Sequence, residues 1–473
     1  MFLPDNSEYI PVENPNMAPK QMAGRKLSME ERLNSYEEIE ATYTEEEALE
    51  EASRCLYCPT HWCQNACPAG VPVADFIAKI REKDYEAAYE LIHSASSLPE
   101  MCSRVCPQEK QCQSNCTRGI CSESVAIGKL ERFVADWHQA NTKEEKTIAT
   151  TEKKVAIIGA GPSGLAAAQR LNESGITVTV YDREAEAGGL LSHGIPNMKL
   201  KKEVVSRKIT SMKAQGILFE NHTNVDEKLA KELKEKADAI ILAVGAEEPR
   251  KASIEGAEKA KGIYYAMDYL TSGKEKEEEK ITAKEKNVVI VGAGDTSDDC
   301  LAMALRDGCK SVVRLKRKPE FFGKTHIWQP YPVERENKKI AYSQEEYASK
   351  FCKDSYQYSS IVKAVKTDEE GNLKAVVVMK TEAKEKEDGR TVMEPIPGTE
   401  RELLCELLLL ATGFSGAKKE IKDAFGIEFG KDYQTNVEKV FVCGDCRTGQ
   451  SLVVKAMVDG QKCADAVEKY LLG

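Results

Sequence analysis

Nine of the 16 cysteines fall between Cys55 and Cys121. Two runs hold most of them: CLYCPTHWCQNACP, with Cys55, Cys58, Cys63 and Cys67, and CSRVCPQEKQCQSNC, with Cys102, Cys106, Cys112 and Cys116. Thiolates this close together on loops can surround iron–sulfur clusters or zinc. Proline follows Cys67 and Cys106, as it does in ferredoxin-like runs. Zinc sites more often pair two Cys-x-x-Cys knuckles or add a histidine. Here only Cys55 and Cys58 make such a knuckle, with His61 nearby. The spacing favours iron and leaves zinc as the alternative. By position alone, the first four cysteines would form one site and the last four another. Cys300, Cys309, Cys352, Cys405, Cys443, Cys446 and Cys463 are scattered and read as small core residues.

Two glycine loops offer a second kind of chemistry. KVAIIGAGPSGLAAAQRLNESGITVTVYDRE places Gly159, Gly161, Pro162, Ser163 and Gly164 between an apolar strand and a helix, and Asp182 ends the next strand. In such a unit the first glycine allows the tight turn, the second lets backbone approach a pyrophosphate, and the third lets helix and strand pack closely. The helix N-terminus faces the anion, and the acid can accept from a ribose hydroxyl. KNVVIVGAGDTSDDCLAMALRDGCKSVVRLKRK repeats the pattern with Gly292, Gly294, Asp295 and Thr296, but Ser297 replaces the third glycine, so helix and strand are expected slightly farther apart. No acid ends its second strand. Arg314, Lys316 and Arg317 stand there instead, which suits a 2′-phosphate, with a solvated basic turn as the plainer alternative. The acid-bearing loop therefore suits FAD and the base-bearing loop NADPH.

Three more turns have the look of flavin-site elements. LAVGAEEPR, with Gly245, and LLATGF, with Gly413, each follow an apolar strand. VFVCGDCRTGQSLVV puts Gly444 and Asp445 after a strand and Gln450, Ser451 and Leu452 before a helix. A carboxylate at Asp445 can accept from a ribityl hydroxyl, or it can simply cap a helix.

The elements that must position these residues are legible in outline. Phe76, Ile77, Ile80, Tyr85, Ala88, Leu91 and Ile92 fit two amphipathic helices between the cysteine runs, and KLERFVADWHQ fits another. Asn141 to Lys154 reads as a linker, Lys274 to Lys286 as a solvated connection, and Glu382 to Arg390 as an exposed hairpin tip. The length suggests two to four domains. With 67 basic and 77 acidic residues, a net charge of −10, nucleic acid is a poor partner. The first twenty residues lack a signal-peptide pattern, and the apolar stretch Leu403 to Phe414 is too short for a membrane span and is broken by Glu406. A cytoplasmic metal site is thus expected over a disulfide framework.

Taken together, EASRCLYC, ICSESVAIGKLERF, GAGPSGL, HGIPNMKL, VGAGDTSDDC, ATGF and CGDCRTGQSLVV make the chain resemble the small (beta) subunits of NADPH-dependent glutamate synthases. The resemblance runs from about Arg25 to the C-terminus. The same module is similar to the N-terminal part of dihydropyrimidine dehydrogenase and to the large subunit of NADH-dependent ferredoxin:NADP oxidoreductase. It implies an α/β chain in which residues 1–148 form a helical double 4Fe-4S domain. Residues 149–283 and 403–473 would form an FAD-binding domain, into which a Rossmann-like NADPH-binding domain, residues 284–402, is inserted. It implies cysteines shared crosswise, with Cys55, Cys58, Cys63 and Cys116 at one cluster and Cys67, Cys106, Cys112 and Glu131 at the other, leaving Cys102 as a nearby competitor. Gly189 and Leu190 join the implied flavin site. The segment Lys316 to Ile340 follows the family's Pro- and Trp-rich pattern only loosely, and Lys455 stands where an aromatic residue is common.

Electron counting then suggests the activity. NADPH gives two electrons together as hydride, iron–sulfur clusters take one at a time, and a flavin can do both. The resemblance implies an electron-input subunit that serves a large glutamate synthase subunit, or an oxidoreductase serving ferredoxin. With Met1-Phe2 at its start and no room for a barrel domain, the chain is not expected to make glutamate alone.

Overall fold

Helices frame the cysteine runs. The computed structural model describes residues 12–142, 149–272, 277–320, 341–386, 390–428, 430 and 432–473. Helix α1 (Glu45–Ala52) opens on a capping box, in which Thr44 Oγ1 accepts the Glu47 N–H at 3.2 Å and Glu47 Oε2 accepts the Thr44 N–H at 2.8 Å. The two expected amphipathic helices are α2 (Val73–Arg81) and α3 (Tyr85–His93). Phe76, Ile77, Ile80, Tyr85, Ala88 and Ile92 are buried between them, and Leu91 is half-buried. Helix α4 (Pro99–Val105) takes proline at its first position, where no N–H is needed. The KLERFVADWHQ segment lies in α5 (Ile127–Asn141), which buries Leu130, Phe133 and Val134 in the same core.

The glycine loop at Gly159 joins β1 (Lys154–Ile158) to α6 (Pro162–Glu173) and is followed by β2 (Thr177–Tyr181). Helix α7 (Lys202–Ala214), β3 (Leu218–Glu220) and β4 (Ala239–Leu242) continue the unit. β4 is buried at every position because helices cover both faces of a parallel sheet. A second sheet follows from β5 (Ile263–Tyr265), β6 (Asn287–Val291), α8 (Asp295–Arg306), β7 (Ser311–Lys316), α9 (Tyr342–Phe351), β8 (Tyr356–Tyr358) and β9 (Leu407–Leu410). Its order is β5-β9-β6-β7-β8, all parallel. Antiparallel strands from Ser360 to Leu404 sit between β8 and β9. Glu385 pairs with Thr391 across the charged tip, of which 387–389 lie outside the described residues.

The chain then returns. β10 (Val440–Val442) pairs with β4, giving the first sheet the order β10-β4-β1-β2-β3, and α10 (Val453–Leu472) packs along α6. The second unit is therefore an insertion in the first. Strand pairing moves two of the sequence-drawn boundaries. β5, within 149–283, and β9, within 403–473, both belong to the second sheet, where the buried Leu407–Leu410 run pairs with β6 on one side and β5 on the other. Parts of four other expected segments fall outside the described residues: the N-terminal stretch at 1–11, the linker at 143–148, the charged connection at 274–276, and the loosely matching segment at 321–340. Among the described residues, no helix is long and apolar enough to cross a membrane.

The cysteine-bearing helices and the first nucleotide unit share one core. Leu98, which precedes α4, and Met101 and Cys102 within it pack in the same apolar cluster as Leu165 of α6 and Met457 of α10.

Candidate functional site

The first cysteine run is held by a buried clamp. Arg54 and Glu51 are fully buried and paired at 2.7 Å. Arg54 Nη2 donates to the Glu123 carbonyl at 2.7 Å and Nε to the Ala18 carbonyl at 3.2 Å, while Glu51 Oε1 accepts the Ala126 N–H at 2.8 Å. This ties Cys55 to the segment that follows Cys116. The loop turns at Tyr57 and His61, both at positive φ. As a result Cys55, Cys58, Cys63 and Cys116 line one small cavity with apolar walls that include Val73 and Ile77. Burial pushes the Cys55 thiol up to about 11 and Cys63 up to about 12. A buried thiolate needs positive charge, which bound iron supplies. N–H groups already point at these sulfurs: Val125 donates to Cys116 Sγ at 3.5 Å, and the Tyr57 and Gln64 amides face Cys55 and Cys63. The donor set suits an iron–sulfur cluster. Among the described residues no group of three His, Cys, Asp or Glu converges on the volume of a single metal ion; these thiols surround a cavity instead.

A second group gathers at the junction of α4 and α5. Cys106 caps α4, Cys112 is buried, and Glu131 is buried on α5. Cys67, Cys106 and Cys112 all feel the Glu131 charge, and Cys112 also feels Cys67. These four side chains are electrostatic neighbours, and Cys112 also feels Cys63 of the first group. Cys102 lies one turn before Cys106 and hydrogen-bonds to it, but it packs in the interdomain core, 3.9 Å from Met457 Sδ.

The Gly159 loop meets the steric demands read from its sequence. Gly159 has φ +105°, and a Cβ there would lie 2.5 Å from the Ala243 carbonyl. A Cβ on Gly164 would lie 1.9 Å from the Gly159 carbonyl, while one on Gly161 meets nothing within 4 Å. Backbone therefore closes on two sides and leaves the middle glycine open, as an approaching phosphate requires. Asp182 is fixed at the end of β2 by the Ala160 N–H at 2.6 Å and the Glu184 N–H at 2.9 Å, and burial pushes its carboxyl up. Gly189 packs against Gly161, and Leu190 beside it is exposed. The C-terminal element reaches the same place: Cβ atoms at Gly444 and Gly460 would strike Ser163 at 2.4 and 2.1 Å. Ser451 Oγ donates to Asp445 Oδ1 at 2.6 Å, so Asp445 braces the turn into α10, which begins after Leu452. Gln450 Oε1 accepts the Phe414 N–H at 3.0 Å, above Gly413, and Gly245 closes the set after β4.

The second loop copies the first. A Cβ on Gly292 would lie 2.5 Å from the Ala411 carbonyl, and Gly294 is open. Asp295 starts α8, exposed, with Thr296 half-buried after it. The Ser297 hydroxyl fills the place of the missing third glycine and donates to the Gly292 carbonyl at 3.0 Å. The three cations of the basic stretch differ in placement. Arg314 points into the protein and is fully buried. Its guanidinium pairs with Asp298, donates to Ser355 Oγ at 2.8 Å and Gln344 Oε1 at 2.9 Å, and stacks on Tyr356 at 3.7 Å. Alternation along β7 turns Arg314 inward, so its guanidinium is spent on protein partners and not presented at the strand end. Lys316, half-buried over Tyr358, and Arg317, exposed, remain at the strand end.

Sequence reasoning missed the bridge between the two loops. Lys199, in HGIPNMKL, pairs with Asp299 of α8 at 3.0 Å, and the Tyr342 hydroxyl donates to the same carboxylate at 3.1 Å. The doubled acid Asp298-Asp299 was the available signal: one carboxylate locks Arg314, the other ties the two nucleotide units together.

Comparison with known proteins agrees with this architecture. Residues 32–143 match the family described as dihydropyrimidine dehydrogenase domain II, 4Fe-4S cluster, and residues 153–460 match the pyridine nucleotide-disulphide oxidoreductases. The NADPH glutamate synthase small chain of Bacillus subtilis is 36% identical, with 93% of this chain and 94% of that relative covered. The NADH glutamate synthase of Schizosaccharomyces pombe is 33% identical over 93% of this chain, which spans only 22% of that longer protein. FprA of Mycobacterium tuberculosis, solved in complex with NADPH, shares the fold over 68% of this chain and 85% of its own, with TM-score 0.54 and 18% identity. On its sequence likeness across nearly the full length of both chains, this protein belongs to the family of glutamate synthase small chains.

Proposed function

We propose that this chain is the electron-input subunit of a glutamate synthase, oxidising NADPH and delivering the electrons to a partner chain that forms glutamate from glutamine and 2-oxoglutarate. The observation that supports it best is the shared core of α4, α6 and α10, which packs Cys106 of the second cysteine group against the nucleotide unit. When bound, FAD supplies the exchange between paired and single electrons, and two 4Fe-4S clusters carry the single ones. The Gly159 loop, Asp182 and the Gly444–Leu452 turn would hold FAD. The Gly292 loop with Lys316 and Arg317 would hold NADPH, the two cations on its 2′-phosphate. Cys55, Cys58, Cys63 and Cys116 would ligate one cluster, and Cys67, Cys106, Cys112 and Glu131 the other. The Lys199–Asp299 bridge ties the first nucleotide unit to α8 of the second.

A long NADH glutamate synthase that contains a region like this chain in 22% of its length supports a large-subunit partner, whose chemistry the remaining length would supply. The test is anaerobic purification with candidate partners. NADPH-driven glutamate formation only when a large glutamate synthase chain is added supports the reading. NADPH-driven reduction of ferredoxin, with no response to that chain, overturns it.

A further inference from the structure

Between the second cysteine group and the nucleotide unit lies a buried ion pair that no step above uses. Glu100 sits in the first turn of α4, six residues before Cys106, and Lys208 comes from α7 of the first nucleotide unit. Both side chains are 2% exposed, and Lys208 Nζ lies 3.9 Å from Glu100 Oε1. Glu100 Oε2 is buried with no hydrogen-bond partner. Glu100 shares α4 with Cys106, which caps that helix, so it lies within about two turns of the second group. Lys208 and Glu100 thus join the first nucleotide unit to the helix that carries Cys106.

An ion pair built only for stability is a poor use of such a place. Desolvating two charges costs more than a loose 3.9 Å contact returns, and an apolar pair would serve as well. Fixed charges in a low-dielectric interior do act strongly on any neighbouring centre whose charge changes. We propose that Glu100 and Lys208 are positioning residues of opposite sign that set the potential at which the Cys67, Cys106, Cys112 and Glu131 site takes up an electron. This rests on the cluster assignment above. Reduction adds one negative charge: Glu100 opposes it and Lys208 favours it.

The test is an anaerobic redox titration of the full chain, with each cluster followed by electron paramagnetic resonance and the flavin by absorbance. Glu100→Gln should favour reduction of one cluster about tenfold, ~59 mV for one electron. Lys208→Met should disfavour it in the opposite direction, and the double variant should return to within about threefold of the unmodified chain. The other cluster and the flavin should stay within about threefold throughout. Iron and sulfide content and the melting transition show that each variant is assembled. Should one single variant fail to assemble, the double variant against the other single variant reads the same sign. Shifts in the same direction, equal shifts in all centres, or no shift in assembled protein overturn the inference. An unmodified chain lacking a second cluster signal overturns the cluster assignment, and this inference with it.

Discussion

Replacing Arg314 separates the two roles open to the basic strand end. In Arg314→Met the side-chain length and part of the stack on Tyr356 survive, but Asp298 loses its buried cation and Ser355 and Gln344 lose a donor. Breaking one side of a buried pair costs about 3–5 kcal/mol. For a unit of this size about 2–4 °C follows each kcal/mol, so the melting transition should fall by ~6–20 °C. The comparison variant, Arg317→Ala, removes an exposed side chain and should leave melting unchanged while weakening NADPH about tenfold, or ~1.4 kcal/mol, with NADH unaffected. The assays are a thermal melt and equilibrium titration with both nucleotides. An Arg314→Met protein that melts normally and loses its preference for NADPH would refute the burial argument.

Gly164→Ala, whose Cβ would collide with the Gly159 carbonyl at 1.9 Å, should lower both stability and flavin content; Gly161→Ala, open in the structure, should keep the stability and lose flavin affinity, as flavin-to-protein ratios will read. Cys102→Ala should retain the iron and sulfide of the unmodified chain, whereas Cys106→Ala should lose about half, by chemical analysis after reconstitution. Ser297→Ala removes the hydroxyl bridge to Gly292 and should cost about 1 kcal/mol in a denaturant titration. Lys199→Met, which unties α8 from the first nucleotide unit, should slow flavin reduction about tenfold or more in stopped-flow with iron content unchanged.

The glycine loops were legible because their constraints are local. Turn, helix start and strand end lie within thirty residues, and Gly164 answers the Gly159 carbonyl inside the unit; the carbonyls that crowd Gly159 and Gly292, those of Ala243 and Ala411, come from farther along the chain. The helices around the cysteines were legible from spacing for the same reason. What could not be read depends on residues far apart in the chain. Arg314 follows the pattern of a phosphate-binding base, yet Gln344 on α9 and Ser355 before β8 bury it. β5 joins the second sheet by pairing with β9 across more than a hundred residues, and β9 lies between β5 and β6, so the boundaries implied by the resemblance placed both strands in the other unit. The Arg54–Glu51 clamp was visible only as the string EASRCLYC, since its partners, Ala18, Glu123 and Ala126, come from separate segments. Asp445 was readable as a flavin ligand or as a cap. In the structure its bond to Ser451 braces the turn, which positions the element whichever groups it meets beyond.

The most direct test is a stepwise anaerobic titration of the purified chain with NADPH, following flavin absorbance and iron–sulfur paramagnetism in one sample. A chain that converts paired electrons to single ones should bleach its flavin band and develop cluster signals together, accepting about two electrons per NADPH. Protein that holds iron yet shows no paramagnetic change as NADPH is consumed would contradict the account.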